Sequence, residues 1–165
     1  LYQEGQFASE QRVHIVGPRS SITNVRILGP ERSKSQFEIS RTDALAIGVM
    51  PPILQSVNHG TGSPITIVGP AGSIHLDDAL IRAKRHVHLH PEEAQLLGVK
   101  DGDEIGVELP GSDQGLLLYN TLIRVDPSFH AEMHIDTDEG NAAGIEAGAK
   151  GFVLSPRSGI CQICK

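Results

Sequence analysis

The sequence predicts a mainly β protein made of two related small β-barrels with short capping helices. Three observations lead there. Val- and Ile-rich runs alternate with polar residues between frequent turns, because eighteen Gly and ten Pro are spread in small groups over 165 residues. Period-two alternation bounded by turn residues is the pattern of a half-buried strand. Apolar residues at 39% and charged residues at 21% suit a chain that buries a core, not a disordered one. Finally, the chain repeats itself, and repeats are the first guide to architecture.

Taken in order, residues 14–22 read H-I-V-G-P-R-S-S-I and residues 66–74 read T-I-V-G-P-A-G-S-I. Each is an apolar strand, a Gly-Pro turn and a return strand, hence a hairpin. Residues 36–49, Q-F-E-I-S-R-T-D-A-L-A-I-G-V, match residues 86–99, H-V-H-L-H-P-E-E-A-Q-L-L-G-V. Each reads as an alternating strand, a capping residue, a short amphipathic helix and a terminating Gly. In the second copy Pro91 suits a first helical position, Glu92 and Glu93 complement the helix dipole, and Gly98 ends the helix. K-D-G-D at 100–103 turns into a strand at 104–109, and further strands are expected at 115–125, 130–135 and 151–154. Residues 138–149 read as a short helix weakened by Gly140 and Gly144. Residues 50–63 are either a linker or a long loop within the first unit. The expected organisation is a first barrel unit at 1–83, a second at 84–154 and a C-terminal tail at 155–165.

Charge and composition narrow the function. Fourteen basic against twenty acidic residues give a net charge of −6 with no basic run, so a nucleic-acid partner is not expected. Aromatics are 4% with no Trp, which also disfavours stacking on bases. No apolar run approaches the roughly 20 residues of a spanning helix, so no membrane partner is expected. Cys161 and Cys164, as C-Q-I-C, have the spacing of half a zinc knuckle or a redox pair but stand on what reads as a frayed terminus.

His86 and His88 carry the strongest chemical signal. On a strand, residues i and i+2 share a face, so both imidazoles can reach one metal ion; the competing reading is a solvated strand face. His90 continues the alternation, but Pro91 turns it aside. His134 sits on another alternating strand and would complete an open three-histidine site, or else is an ordinary hydrogen-bonded histidine. Glu132 and Asp136 share its face and are expected to orient imidazoles. The repeat places Glu38 on His88 and Gln36 on His86, which makes Glu38 a candidate ligand. Arg32, with Ser33 and Ser35 after Gly29-Pro30, is suited to gripping a phosphate, or is a solvated basic loop. No phosphate-loop, dinucleotide-binding or nucleophile-elbow motif occurs.

The strings G-Q-F-A, N-V-R-I-L-G-P, E-I-S-R-T-D-A, A-K-R-H-V-H-L-H-P-E-E-A, G-V-K-D-G-D and E-M-H-I-D-T-D-E-G-N-A-A-G, in this order, resemble the PduL-type phosphate propanoyltransferases, phosphotransacylases associated with bacterial microcompartments. The resemblance runs over about 1–148. It implies two β-barrels with a two-zinc site between them, and transfer of a short acyl group between coenzyme A and phosphate. It places zinc ligands at His86, His88, His134 and Glu38, a phosphate-binding Arg32, and a coenzyme A contact at Arg85. The family's earlier A-R-H-x-H segment would precede Leu1, and His14 does not replace it. The chain is therefore expected to be an N-terminally truncated member with one well-formed zinc site. The resemblance also implies a homodimer, microcompartment shell or cargo partners, and location in a microcompartment lumen or the cytoplasm. Two rival expectations are a zinc hydrolase with Glu132 as base, and a non-catalytic microcompartment-associated fragment.

Overall fold

The structure, a computed structural model, describes residues 5–56, 60–111, 113–155 and 159–163. The chain divides into two compact units, residues 1–83 and 84–165. Strand accounts for 47% and helix for 14%, with one sheet curled into a half-barrel, so the chain is mainly β with short helices as the alternation predicts.

In the first unit, β1 (Phe7–Val16) and β2 (Ser21–Gly29) form a hairpin, followed by β3 (Phe37–Glu38), α1 (Arg41–Ile47), β4 (Ile53–Leu54), β5 (Ser63–Gly69) and β6 (Gly72–Ala83). The sheet runs β2-β1-β5-β6-β3, and β4 also pairs with β6. Both predicted hairpins are present, and both lie in this unit, joined by antiparallel pairing of β1 with β5. The hairpin repeat is thus internal to one sheet and does not mark the two units. Ile53 and Leu54 pair in parallel with Arg82 and Ala83, so the segment at 50–63 contributes a strand to the first unit and is not a linker. Residues 57–59 of that segment fall outside the described residues.

Ile15, Ile39, Ala44, Ile47, Ile65, Ala79 and Leu80 make the core of this unit. The turn of the first hairpin is fastened to the end of α1, since Arg19 N donates to the Ile47 carbonyl at 3.0 Å. That approach requires Gly17: a Cβ there would fall onto the Ile47 carbonyl oxygen and stand 2.8 Å from the Ile47 Cβ.

The second unit holds β7 (His86–Leu89), α2 (Pro91–Leu97), β8 (Glu104–Leu109), β9 (Leu116–Val125), β10 (Glu132–His134), α3 (Thr137–Ala143), β11 (Gly151–Ser155) and β12 (Gly159–Ile163). The sheet order is β10-β7-β9-β8-β11-β12. α3 is shorter than the expected helix because Gly144 takes a left-handed conformation, φ 61°, and closes it. Residues 159–163 are not a frayed end: they pair antiparallel with β11, with Cys161 opposite Val153. Cys164 lies outside the described residues.

The strand–helix repeat is exact in its hydrogen bonding. Ser40 and His90 are the N-caps of α1 and α2, Ala44 N and Ala94 N donate to their carbonyls, and Val49 N and Val99 N donate back to Ala44 and Ala94. Gly48 and Gly98 end the two helices with φ of 83° and 70°, the left-handed region where a side chain is strained. His90 is the cap that Pro91 made it: its Nδ1 accepts from Glu92 N at 3.3 Å, so it is turned away from the β7 face. The preceding strands also correspond, because β3 pairs in parallel with β6 as β7 pairs in parallel with β9.

Candidate metal centre

β7 lies inside its sheet, between β10 and β9, with its apolar residues at alternate positions. Val87 and Leu89 are fully buried and join the core with Val107, Ile123 and Val153. Burying such side chains stabilises by about 1.5–3 kcal/mol each, which fixes the register of β7 and so commits His86 and His88 to the opposite face. β10 pairs antiparallel on one side, with His134 opposite His86 and Glu132 opposite His88. Met133 points the other way and packs on the core. The predicted alternation on both strands therefore holds, and it brings three imidazoles together.

Their ring centroids are 4.8 Å apart for His86–His88, 4.8 Å for His86–His134 and 4.5 Å for His88–His134. One ligand atom from each lies within 4.8 Å of the others, and this is the group among the described residues with the makings of a metal site. His86 Nδ1 is 2.9 Å from the Lys84 carbonyl. A carbonyl only accepts, so Nδ1 carries a proton and Nε2 is the atom left to face a metal ion. The Nε2 atoms of His88 and His134 are buried with no hydrogen-bond partner. Glu132 Oε2 stands 3.5 Å from His134 Nε2 without closing a hydrogen bond to it.

Electrostatics keeps the lone pairs available. Burial pushes the His88 imidazole down from 6.5 to about 3, helped by the neighbouring His134, His86 and Arg124 and opposed by Asp126. Burial and then Arg124 also lower His134. Both rings are neutral near pH 7, the state in which imidazole binds a metal ion. Buried polar atoms without partners are uncommon in native folds and carry a desolvation cost. Three imidazoles with converging nitrogens, His88 and His134 held neutral by burial, match the donor set and open geometry of a zinc site, so the residues present fit a divalent cation.

The other predicted residues are placed as follows. Arg85 is within an ion pair, its Nε 3.1 Å from Glu139 Oε1. Glu139 in turn accepts from Asp136 N at 3.1 Å, and Asp136 Oδ1 accepts from Glu139 N at 2.9 Å, a reciprocal cap on α3. The carboxylate of Asp136 is therefore engaged with helix backbone and does not orient an imidazole, contrary to expectation. Burial raises Glu139, against the pull of the Asp136 N–H and Arg85. Glu38 and Arg32 belong to the first unit and are exposed, Glu38 beside Ile81 in the β3–β6 register and Arg32 in the loop after β2. Gln36, the repeat partner of His86, has a buried Oε1 without a hydrogen-bond partner.

Two residues of this centre were not singled out from the sequence. Arg124 faces His88 across the β7–β9 register, and Phe129 stacks on the His88 ring with centroids 3.8 Å apart and planes 13° apart. Neither carries a spacing signal, because each reaches the histidines through strand pairing or a turn. The D-P-S-F turn after a predicted strand was the available hint for Phe129.

Comparison with known proteins gives a consistent result. The family described as Phosphate propanoyltransferase matches residues 1–146. The phosphate propanoyltransferase of Salmonella typhimurium is 47% identical over 88% of this chain and 70% of its own length. That of Thermotoga maritima is 46% identical over 93% of this chain and 73% of its own, and that of Lachnoclostridium phytofermentans 50% over 87% and 68%. With a family match across most of its length and relatives this similar, the chain belongs to the phosphate propanoyltransferase family and is an acyltransferase.

Proposed function

We propose that the chain interconverts a short acyl-coenzyme A, propanoyl-coenzyme A or one of similar length, plus phosphate with the acyl phosphate plus coenzyme A. The observation that carries this reading is the convergence of His86, His88 and His134, with buried unpartnered nitrogens on two of them, in a chain of this family. In the reaction a phosphate oxygen attacks the thioester carbonyl carbon, a C–O bond forms, the C–S bond breaks and the thiolate leaves to take up a proton. The three histidines would hold zinc, which when bound supplies Lewis-acid stabilisation of the developing oxyanion. Arg32 is assigned to phosphate, whose charge a guanidinium neutralises with two parallel hydrogen bonds, turning an encounter into a positioned attack. Glu38, by its correspondence to His88, is assigned as one ligand of a second cation whose other ligands the described residues of this chain do not supply, so one bound zinc per chain is expected. The Lys84 carbonyl fixes the His86 tautomer, and the apolar layer of Val87 and Leu89 beneath β7 keeps the imidazoles from turning inward.

The test is thiol release from propanoyl-coenzyme A, with and without inorganic phosphate, alongside detection of the acyl phosphate. Phosphate-dependent release with stoichiometric acyl phosphate is expected. Release of free acid independent of phosphate would instead favour a hydrolase, a reading to which the position of Glu132 near His134 gives some footing. No release under either condition would leave the chain as a non-catalytic member of its family.

A further inference from the structure

The loop after β9 is held with more care than a plain connection needs. Val125 N donates to Asp101 Oδ1 at 2.9 Å, and Asp126 N donates to the Leu89 carbonyl at 3.2 Å, tying the end of β9 to the turn before β8 and to the end of β7. Asp126 Oδ1 then accepts from Ser128 N at 2.8 Å and Ser128 Oγ at 2.6 Å, and Phe129 N donates to the Asp126 carbonyl at 3.0 Å. Pro127 fixes a further backbone angle in this turn. The result is that an aromatic ring on a loop lies face to face with a buried imidazole, 3.8 Å between centroids. Arg124, the register partner of His88, has its guanidinium carbon 5.7 Å from the centre of the same ring.

Such a ring affects an imidazole in two ways. It restricts rotation of the His88 ring plane, so the direction of its lone pair is set before a cation arrives. It also covers one face of a histidine that is only 4% exposed, shielding that face from solvent. His86 is oriented by a hydrogen bond to the Lys84 carbonyl, whereas the nearest ring against His88 is the parallel face of Phe129, closer than either neighbouring imidazole. We propose that Phe129 is a positioning residue of the three-histidine centre, a platform on the 126–129 turn that sets the plane of His88 for cation binding. This rests on the reading of His86, His88 and His134 as ligands.

The experiment is titration of the metal-stripped chain with divalent cobalt, whose visible absorption reports ligand geometry, for the wild type, Phe129→Ala, Phe129→Leu and Phe129→Trp. Loss of the platform is expected to weaken cobalt binding by about tenfold or more, the effect of losing a group that orients a metal ligand. Phe129→Ala and Phe129→Leu should also change the intensity of the visible bands, while Phe129→Trp, which keeps a flat ring, should restore both affinity and spectrum. Phe129→Leu fills much of the same space, so it answers the question if Phe129→Ala fails to fold. Cobalt binding within about twofold of wild type and an unchanged spectrum in Phe129→Leu would overturn the proposal, whatever happens to the melting temperature. A wild-type chain that takes up no cobalt would overturn the three-histidine reading and this proposal together; wild-type binding matched by both truncations would overturn this proposal alone.

Discussion

Replacing His88 by Phe keeps an aromatic ring against Phe129 and removes only the titrating nitrogens. In the unfolded chain the His88 imidazole takes a proton near 6.5, and in the fold burial pushes this to about 3. The folded value is depressed, so between these limits the unfolded chain binds a proton that the folded chain does not. Stability from this group is complete above pH 6.5 and falls as the pH drops towards 3. One such proton gives a slope of at most about 1.4 kcal/mol per pH unit, or about 2 kcal/mol between pH 7 and pH 5. His134, also lowered, acts in the same direction, and Glu139, raised by burial, acts oppositely. Both remain in the variant, so the difference between the two proteins isolates His88. Urea unfolding followed by circular dichroism, with chelator present, at pH 7, 6 and 5 measures it. The wild type should lose about 2 kcal/mol more than His88→Phe over this range. Parallel pH profiles would refute the argument that burial holds His88 neutral and ready to bind a cation.

Two further outcomes follow from other parts of the chain. Gly17→Ala forces a methyl group onto the Ile47 carbonyl at the junction of the first hairpin with α1, and should cost about 1–3 kcal/mol in urea unfolding; an unchanged midpoint would mean that this junction gives way freely. Arg32→Gln removes the guanidinium assigned to phosphate, and should raise the KM for phosphate by about tenfold or more with no change in bound zinc. An unchanged KM would return Arg32 to the status of an exposed loop residue.

The elements of the fold were legible where local chemistry decides them. Pro91 with Glu92 and Glu93 announces α2, Gly48 and Gly98 close the paired helices, and the alternation of Val87 and Leu89 with His86 and His88 is settled by burial of the apolar pair. What local pattern does not carry is pairing between distant segments. The two matching hairpins lie in one sheet because β1 pairs with β5, and no property of either hairpin alone announces that. Likewise, β12 forms because β11 offers it an edge, although the segment by itself reads as a loose terminus. The candidate site divides in the same way. His86, His88 and His134 were visible as imidazoles on strand faces, whereas Arg124 and Phe129 become neighbours of His88 only through the β7–β9 register and the turn that follows it. Asp136 shows the converse: a carboxylate on the right face was claimed by the nearest orphan backbone N–H of α3.

The central claim, that His86, His88 and His134 hold a divalent cation in this acyltransferase, is tested most directly by zinc bound per chain at equilibrium. The wild type would be measured beside His86→Ala, His88→Ala and His134→Ala under matched free zinc. About one zinc ion per chain in the wild type, lost in each variant while the fold persists by circular dichroism, is the result this account requires. Zinc retained by all three variants, or absent from the wild type, would contradict it.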